Sequence, residues 1–272
     1  MDLGVALFAT DLTSDVREVA RVAEDAGFES LFVAEHTHIP TSRRTAYPMG
    51  GELPAEYSRT QDPFIALMAA AGVTSQLKLG TGVCLVVERD PIVLAKEVST
   101  LDVLTGGRVL LGVGAGWNEE ELAHHGVAFA DRFEVLQERV ELMQALWTQD
   151  EASYDGQHAR LEPSWQWPKP VQAPLPVLVG GGGKRAMRLA VELGGGWMPM
   201  PSPTRLADRL DTLRSVAAEA GRPVPPVTMY LVRPDRGVIE HYASVGIERC
   251  VFLLPTQGDA VAAVQEIAGK VL

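Results

Sequence analysis

Short apolar runs alternate along the chain with stretches in which apolar residues recur every three or four positions. The first run covers residues 3–8, and the first periodic stretch covers residues 14–26. The apolar positions of that stretch share one helical face: Val16, Val19, Ala20 and Ala23. The short runs predict buried strands, and the periodic stretches predict amphipathic helices.

The alternation repeats eight times. The predicted strands cover residues 3–8, 30–34, 77–83, 109–113, 176–179, 196–199, 227–232 and 248–254. The helices that follow them cover residues 14–26, 62–74, 91–104, 132–147, 184–193, 204–220, 235–245 and 259–271. This order implies parallel strands with right-handed crossovers, and eight such pairs in 272 residues predict a single-domain α/β protein, a (β/α)8 TIM barrel. A doubly wound sheet is the main alternative on the pattern alone.

Three segments interrupt the alternation. Residues 35–59 contain several prolines and glycines and predict a loop that is long enough to act as a lid. Residues 114–130 predict a second loop or a short helix. Residues 151–176 are rich in tryptophan and proline, and Asp155-Gly156 is a hairpin-turn signal. We interpret this last segment as an inserted excursion and not as a second domain.

Composition and charge narrow the class of protein. Hydrophobic residues make up 46% of the chain, which allows a sizeable core, and the net charge of −11 disfavours a nucleic-acid binder. Cys84 and Cys250 are the only cysteines and form no CxxC pair, so we expect free thiols in a reducing compartment. Neither a signal peptide nor an apolar run of about 18 residues is evident. We therefore expect a cytoplasmic protein with no membrane or nucleic-acid partner.

A glycine-rich segment follows the fourth predicted strand, at the end of a barrel where chemistry belongs. Its sequence is Gly114-Ala115-Gly116-Trp117-Asn118. Glycines at a strand end permit close approach of a ligand or of another backbone, and the indole could stack on a flat ring. The tryptophan displaces the third glycine of a GxGxxG motif, so the segment indicates a Rossmann dinucleotide site only weakly.

A second glycine-rich segment, Gly180-Gly181-Gly182-Gly183, opens the helix that contains Lys184. Backbone N–H groups and the positive end of a helix dipole favour an anion at such a place, and barrels often bind phosphate after a late strand. The alternative is a flexible strand–helix turn, because glycine is common in turns.

Histidines and acidic residues add candidate chemistry. His36 stands just after the second strand, where an imidazole can shuttle protons near neutral pH, and a hydrogen-bonded structural histidine is the alternative. His124 and His125 follow the acidic residues 119–121, which would suggest a metal if a third ligand with suitable spacing were evident. None is evident, so no metal site is predicted and a solvated acidic helix start fits better.

Several short sequences occur in a specific order: LGTGV at residues 79–83, TLDVLTGGR at 100–108, GVGAGW at 112–117, the four glycines at 180–183 and GGW at 195–197. Together they resemble the bacterial luciferase-like monooxygenase family, and the resemblance covers nearly the whole chain. Within that family the chain resembles actinobacterial members assigned to coenzyme F420, a deazaflavin.

The resemblance implies several roles in a cofactor site. Gly82 and Val83 fall where relatives carry a bulge with a non-proline cis peptide behind the isoalloxazine ring. Residues 114–118 would contact the ring and the ribityl chain, and residues 180–183 would hold the phosphate. His36 matches a histidine near the redox carbon. Trp117 stands where sugar-phosphate dehydrogenases of the family carry a glutamate. Its apolar ring suits a less polar substrate.

We therefore expect an F420-dependent oxidoreductase that transfers a hydride between the deazaflavin and an unidentified small organic substrate, with His36 giving or accepting a proton. FMN in the same seat, supporting monooxygenation or reduction, is one alternative, and a non-catalytic flavin-binding protein is another. A barrel lyase or isomerase would need a Schiff-base lysine or paired carboxylates at strand ends, and Lys78 and Lys184 only flank the strands. Such barrels often form homodimers, but the sequence reveals no interface.

Overall fold

The protein is an eight-stranded parallel β-barrel surrounded by helices. Its computed structural model describes residues 1–202 and 204–272. The strands are β1 (Asp2–Leu7), β2 (Ser30–Val33), β3 (Lys78–Thr81), β4 (Val109–Val113), β5 (Ala152–Asp155), β6 (Arg160–Ser164), β7 (Val177–Gly180), β8 (Gly196–Met198), β9 (Thr228–Val232) and β10 (Arg249–Leu253). The α-helices are α1 (Val16–Ala26), α2 (Pro63–Ala71), α3 (Pro91–Thr105), α4 (Glu119–His124), α5 (Arg132–Thr148), α6 (Lys184–Glu192), α7 (Leu206–Glu219), α8 (Arg236–Ser244) and α9 (Ala260–Val271).

The strands of the barrel follow the order β1, β2, β3, β4, β7, β8, β9 and β10, and β10 pairs back to β1. The ladders are parallel, and Trp197 of β8 bridges Val227, just before β9, to join the two ends of the sheet. This ring confirms the predicted barrel. It excludes the doubly wound alternative, in which the two edge strands stay apart.

Local sequence signals set the helix ends. Asp15, Asp62 and Asp90 accept hydrogen bonds from the first free N–H groups of α1, α2 and α3. Gly27 ends α1 with a φ of 95°, a left-handed conformation that glycine adopts without steric cost. Because these signals act over a few residues, most predicted helices begin and end close to their observed bounds.

The inserted excursion is an antiparallel hairpin of β5 and β6, as the Asp155-Gly156 signal predicts. Glu138 of α5 accepts hydrogen bonds from the backbone N–H groups of residues 157–159, which fastens the turn to the outer layer of the barrel. Within residues 1–202 and 204–272, no helix is long and apolar enough to cross a membrane.

The third strand is shorter than predicted. The pattern predicts a strand over residues 77–83, whereas β3 ends at Thr81 and the next peptide, Gly82–Val83, is cis, as the resemblance implied. From there the backbone joins the neighbouring strand, and Cys84 donates its N–H to the carbonyl oxygen of Gly112 on β4 at 2.7 Å. The apolar pattern continues past the end of the strand because these residues stay inside the barrel.

A buried ion-pair network closes the amino-terminal end of the barrel. Arg249 of β10 donates to both carboxylate oxygens of Glu29, at 2.8 Å each, and also approaches Asp2 of β1 at 3.2 Å. Lys78 of β3 lies 2.8 Å from Glu29. The network therefore connects neighbouring strands at their amino-terminal ends. In such barrels this end contributes to stability, and the active site lies at the opposite end.

We expect the protein to lose stability when Glu29 is protonated. Burial by itself raises the pKa of Glu29, but the hydrogen bonds and charge of Arg249 lower it to about 2. Since the ordinary value is 4.5, the ion pair contributes fully above about pH 4.5 and its contribution is lost as the pH falls towards 2. A shift of that size corresponds to about 3 kcal/mol of unfolding free energy.

Denaturant unfolding of wild type and Glu29→Gln, at neutral pH and at about pH 3, within the range over which Glu29 is protonated, measures this effect. The variant is expected to be less stable at neutral pH and to change less between the two conditions. Glu266→Gln, which removes an exposed pair with Lys270, is the control and should have little effect at either pH. Equal acid sensitivity in wild type and Glu29→Gln would contradict the assignment.

Candidate active site

A cavity of about 310 Å³ opens at the carboxyl ends of the barrel strands. Most of the residues proposed from the sequence line it: His36, Gly82, Val83, Gly114, Ala115, Gly116, Trp117, Gly180 and Gly181. Three others, Asn118, Gly182 and Gly183, do not line it. The remaining lining includes apolar and aromatic side chains: Phe8, Leu85, Phe133, Met198, Met200 and Tyr230. The fold thus gathers distant glycine motifs around one mainly apolar space, at the end of the barrel where catalysis belongs.

Val83 packs between glycines of two other strands at the floor of the cavity. A Cβ atom at Gly114 would lie 2.5 Å from Val83 Cγ2, and one at Gly180 would lie 2.9 Å from Cγ1. The hydroxyl of Tyr230, which also lines the cavity, donates to the carbonyl oxygen of Gly82 at 2.9 Å. Close packing around one valine therefore explains why glycine stands at both positions.

Aromatic side chains form one wall of the cavity. The ring centroid of His36 lies 5.2 Å from that of Tyr57 and 5.7 Å from that of Trp117. The ring of Tyr47 packs edge-on against the rings of Tyr57 and Trp117, and its hydroxyl lies 3.1 Å from that of Tyr57. Tyr47 also lines a separate groove of about 610 Å³ within the long loop, residues 35–59. This loop therefore supplies one wall of the cavity.

His36 is held by a buried carboxylate. Its Nδ1 lies 2.9 Å and 3.1 Å from the two carboxylate oxygens of Glu121, whose side chain is 1% exposed. Because a carboxylate only accepts hydrogen bonds, Nδ1 carries the proton. No residue in the described part of the chain hydrogen-bonds Nε2, and His36 lines the cavity. The ring thus presents an accepting nitrogen to the cavity.

The expectation of a solvated acidic start for α4 holds for Glu119, which is exposed, and was wrong for the two acids that follow it. Glu120 and Glu121 are both buried. Glu120 accepts hydrogen bonds from the Ser42 hydroxyl and from the backbone N–H groups of Arg44 and Thr45, and these bonds hold its pKa well below the usual range. The two carboxylates therefore anchor the long loop and its histidine to α4. Helical position alone did not reveal this, because the partners lie in a loop far away in sequence.

His124 and His125 bond α4 to the same loop. His124 Nδ1 lies 2.8 Å from Nε2 of His38, and His125 Nε2 lies 3.1 Å from the hydroxyl of Thr37. Across residues 1–202 and 204–272, no group of three or more His, Cys, Asp or Glu side chains has an arrangement that could hold a metal ion.

Positive charge collects at the start of α6. This helix begins after Gly183, which gives its first N–H groups no side-chain cap, and Lys184 and Arg185 stand in its first turn. Arg132, which lines the cavity, has its pKa lowered by burial and by the neighbouring charge of Arg185. Arg185 is already paired with Glu134 and Lys184 lies near Glu219, so the uncapped N–H groups of α6 and the guanidinium of Arg132 are the groups that favour an anion here.

Arg209 of α7 adds a buried cation to this place. Its side chain packs over Trp197, 5.0 Å from the ring centroid, and donates to the carbonyl oxygen of Met200 at 3.0 Å. A Cβ atom at Gly182 would lie 3.3 Å from its Nη2, so the guanidinium lies against the glycine-rich segment. No carboxylate in the described ranges pairs with it, and an unpaired buried charge favours an external anion.

Three side chains that shape the site were missed by sequence reasoning: Glu121, Tyr230 and Arg209. Glu121 contacts a residue 85 positions away, and Tyr230 contacts one 148 positions away. Only Tyr230 carried a usable signal, because it is a polar aromatic residue near the end of an apolar strand, where a barrel places functional groups.

Comparison with known proteins identifies the family. A family model described as luciferase-like monooxygenase matches residues 6–235. The chain belongs to the luciferase-like monooxygenase family. An uncharacterised protein of Mycobacterium tuberculosis is 42% identical to this luciferase-like protein, and the match covers 99% of this chain and 98% of that protein. The F420-dependent glucose-6-phosphate dehydrogenase of Nocardia farcinica is 35% identical over 66% of this chain and 51% of the dehydrogenase.

Solved structures share the fold at low sequence identity. A monooxygenase from Streptomyces bottropensis superposes with a TM-score of 0.79 at 21% identity, covering 99% of this chain and 98% of that chain. An F420-dependent secondary alcohol dehydrogenase superposes with a TM-score of 0.77 at 19% identity, covering 100% of this chain and 98% of that chain. The luciferase-like barrel and the resemblance in its motifs are thus confirmed, and the family assignment makes the protein an enzyme of the oxidoreductase class.

Proposed function

We propose that this luciferase-like protein is an F420-dependent oxidoreductase that transfers a hydride between the deazaflavin and a small, largely apolar organic substrate. The observation that carries the proposal is a mainly apolar cavity that His36 lines at one place and Gly180, Gly181 and Arg132 at another, with the guanidinium of Arg209 next to Gly182 just outside the lining. The Nocardia relative and the alcohol dehydrogenase with the same fold are both F420-dependent, which supports the choice of cofactor.

The residues present fit a flavin-like cofactor with a phosphate. Arg209 and the uncapped start of α6 offer donors and positive charge to a phosphate group. Residues 114–117 line the cavity beside Val83, where they would contact the ring and the ribityl chain. Asn118 is fully buried and does not line the cavity, and neither polar atom of its side-chain amide has a hydrogen-bond partner in the described chain.

The bound deazaflavin would supply the hydride transfer. His36 would give or accept the accompanying proton at Nε2, because Nδ1 is engaged by Glu121. Tyr57 and Trp117 would confine the substrate beside this nitrogen and exclude water from it. Since Trp117 has a large apolar ring, one N–H donor, and neither a charge nor an acceptor, it favours simple alcohols and carbonyl compounds as substrates over charged sugar phosphates.

An FMN-dependent monooxygenase is the second candidate. The Streptomyces protein that shares the fold is a monooxygenase, which supports the monooxygenase reaction of this candidate. FMN would use the same ring floor and the same anion-favouring end as the deazaflavin. The deazaflavin has carbon where FMN has the reactive ring nitrogen, and only the flavin activates oxygen well, so the choice of cofactor decides the chemistry.

The geometry disfavours the other classes of function. Lys78 pairs with Glu29 at the far end of the barrel, and Lys184 lies 3.9 Å from Glu219 on the helical layer, so neither is placed as a Schiff-base lysine. Glu35 lines the cavity, but its carboxylate accepts hydrogen bonds from Arg89 and from the N–H of Leu85, and Glu88 and Glu121 do not line the cavity. The described lining therefore lacks the free pair of carboxylates that a lyase or isomerase would need. A non-catalytic flavin-binding protein would have no use for the buried pair of His36 and Glu121.

Titration with F420 and, separately, with FMN tests the proposed function through tryptophan fluorescence. Trp117 lines the cavity, so bound F420 is expected to quench the emission, with an affinity about tenfold or more above that for FMN. Trp117→Phe should reduce the quenching, whereas Trp165→Phe should preserve it because Trp165 is 79% exposed outside the cavity. Tighter binding of FMN would move the assignment to a flavin-dependent monooxygenase or reductase, and binding of neither would overturn the proposed function.

A further inference from the structure

Two buried carboxylates lie behind His36, outside the cavity. Glu121 belongs to α4, and Glu88 belongs to the 3-10 turn Val86–Glu88 that follows β3. Both side chains are almost fully buried, and neither lines the cavity. Burying carboxylates costs free energy unless each has a partner, so their position calls for a physical reason.

Glu121 contacts His36 through both of its carboxylate oxygens. Both of its oxygens lie within 3.1 Å of Nδ1, and the imidazole side chain is only 7% exposed, so the pair is shielded from solvent. This contact fixes the ring orientation and the tautomer together, because an acceptor at Nδ1 leaves Nε2 without its proton in the neutral ring. A carboxylate in the same place also favours the charged ring, since it lies next to the imidazolium that forms when Nε2 takes up a proton.

We propose that Glu121 is the positioning residue of His36: it holds the Nδ1 proton, turns Nε2 to the cavity and stabilises the imidazolium. The catalytic use of that nitrogen rests on the proposed function. The orientation and ionisation of the ring rest on the geometry alone and can be tested without substrate.

The surrounding charges support one negative charge at this place. Burial and the nearby Glu121 carboxylate raise the pKa of Glu88 to about 8, so Glu88 is mainly neutral at pH 7. The hydroxyl of Thr37 donates to Glu88 at 3.1 Å, and the other oxygen of Glu88 is buried without a hydrogen-bond partner in the described chain.

Other titratable groups around the pair are already engaged or lie further out. Glu35 is paired with Arg89, and His125 lies 3.8 Å from Glu88. His38 bonds to His124 at the surface, and Arg139 donates to backbone carbonyl oxygens of residues 86, 87 and 89. On the cavity side, His36 meets only the rings of Tyr57 and Trp117. Glu121 is therefore the acidic side chain that contacts the imidazole of His36 within the described chain.

Nitrogen NMR of histidine-labelled protein tests this role without any cofactor. The His36 resonances are assigned by their loss in His36→Gln. In the wild type, the neutral ring is expected to carry its proton on Nδ1. In Glu121→Gln, the amide oxygen still accepts from Nδ1 but the charge is gone, so the titration midpoint of His36 should fall by about one pH unit, a tenfold loss of proton affinity.

Glu88→Gln is the matched control, because it replaces a mainly neutral carboxyl group with a neutral amide of the same shape. Glu88→Gln should leave the titration midpoint of His36 near the wild-type value. An Nε2-protonated ring in the wild type, or an equal midpoint in wild type and Glu121→Gln, would overturn the proposal. If Glu121→Gln does not fold, the wild-type tautomer alone decides.

Cofactor titration separates this inference from the proposed function. Glu121→Gln is expected to bind F420 within about twofold of the wild type, because Glu121 does not line the cavity. Failure of F420 and FMN to bind the wild type would overturn the proposed function and leave the NMR result standing. A wild-type affinity for F420 combined with an unchanged His36 midpoint in Glu121→Gln would overturn the role of Glu121 alone.

Discussion

Replacing Arg209 with methionine is expected to weaken cofactor binding by about 10- to 100-fold. The guanidinium is buried against the residue 180–183 segment, and a charge-assisted hydrogen bond to phosphate in such a site contributes about 1.5–3 kcal/mol. Methionine keeps an apolar side chain of similar length over Trp197, so the packing of α7 should survive. Fluorescence titration of wild type and variant measures the loss.

The same substitution should not reduce the stability of the cofactor-free protein. Burial lowers the pKa of Arg209, which means that the protein holds this cation at a cost. Within the described residues, its side chain makes one hydrogen bond, to the carbonyl oxygen of Met200, and one contact with the ring of Trp197, and these recover only part of that cost. We therefore expect Arg209→Met to melt at the same temperature as the wild type or higher without cofactor, and to gain less from added cofactor. A loss of affinity that accompanies a gain of stability is typical of a binding residue and not of a structural one.

Two controls isolate the phosphate contribution. Arg214→Met makes the same change on the same helix, at an exposed arginine paired with Asp211, and should alter neither affinity nor stability. Riboflavin lacks the phosphate of FMN, so Arg209→Met should weaken binding of FMN much more than that of riboflavin. Equal losses for both ligands, or no loss for either, would contradict the placement of a phosphate beside Arg209.

Much of the barrel was predictable because its determinants are local. A strand that is buried on both faces shows an unbroken apolar run, as in β2 and β4, and a helix on the outer layer shows one apolar face, as in α1. The capping residue Asp62 and the terminal Gly27 lie within a residue or two of the ends that they fix. The excursion was equally readable, because a hairpin turn has its own short signal.

The site was only half predictable, since its glycines are local features but its charges are not. Glycine at strand ends marks close approach without saying what approaches, and at Gly114 and Gly180 the neighbour is Val83. The acids at the start of α4 match the helix dipole equally well whether they face water or the interior. Their burial depends on a loop that folds back from residues 36–45, and no spacing within α4 encodes that contact.

Replacing His36 with glutamine is expected to reduce turnover by about 100- to 10,000-fold while cofactor affinity changes by less than about threefold. The amide N–H of glutamine can still donate to Glu121, so the buried carboxylate keeps a partner. An alanine would leave that charge unpaired in the interior, at a cost of about 3–5 kcal/mol, and would confuse stability with catalysis. Turnover is followed through the absorbance of the deazaflavin, with a substrate found by screening alcohols and carbonyl compounds.

His124→Gln makes the same change at an exposed histidine of α4 that bonds to His38, and it should keep wild-type turnover. A fall in kcat with KM and cofactor affinity preserved would place His36 in the reaction, because only interactions specific to the transition state act on kcat in that way. The pH dependence that the imidazole contributes should disappear in the same variant. Parallel loss of cofactor binding and turnover would instead identify a structural histidine that holds the long loop to α4.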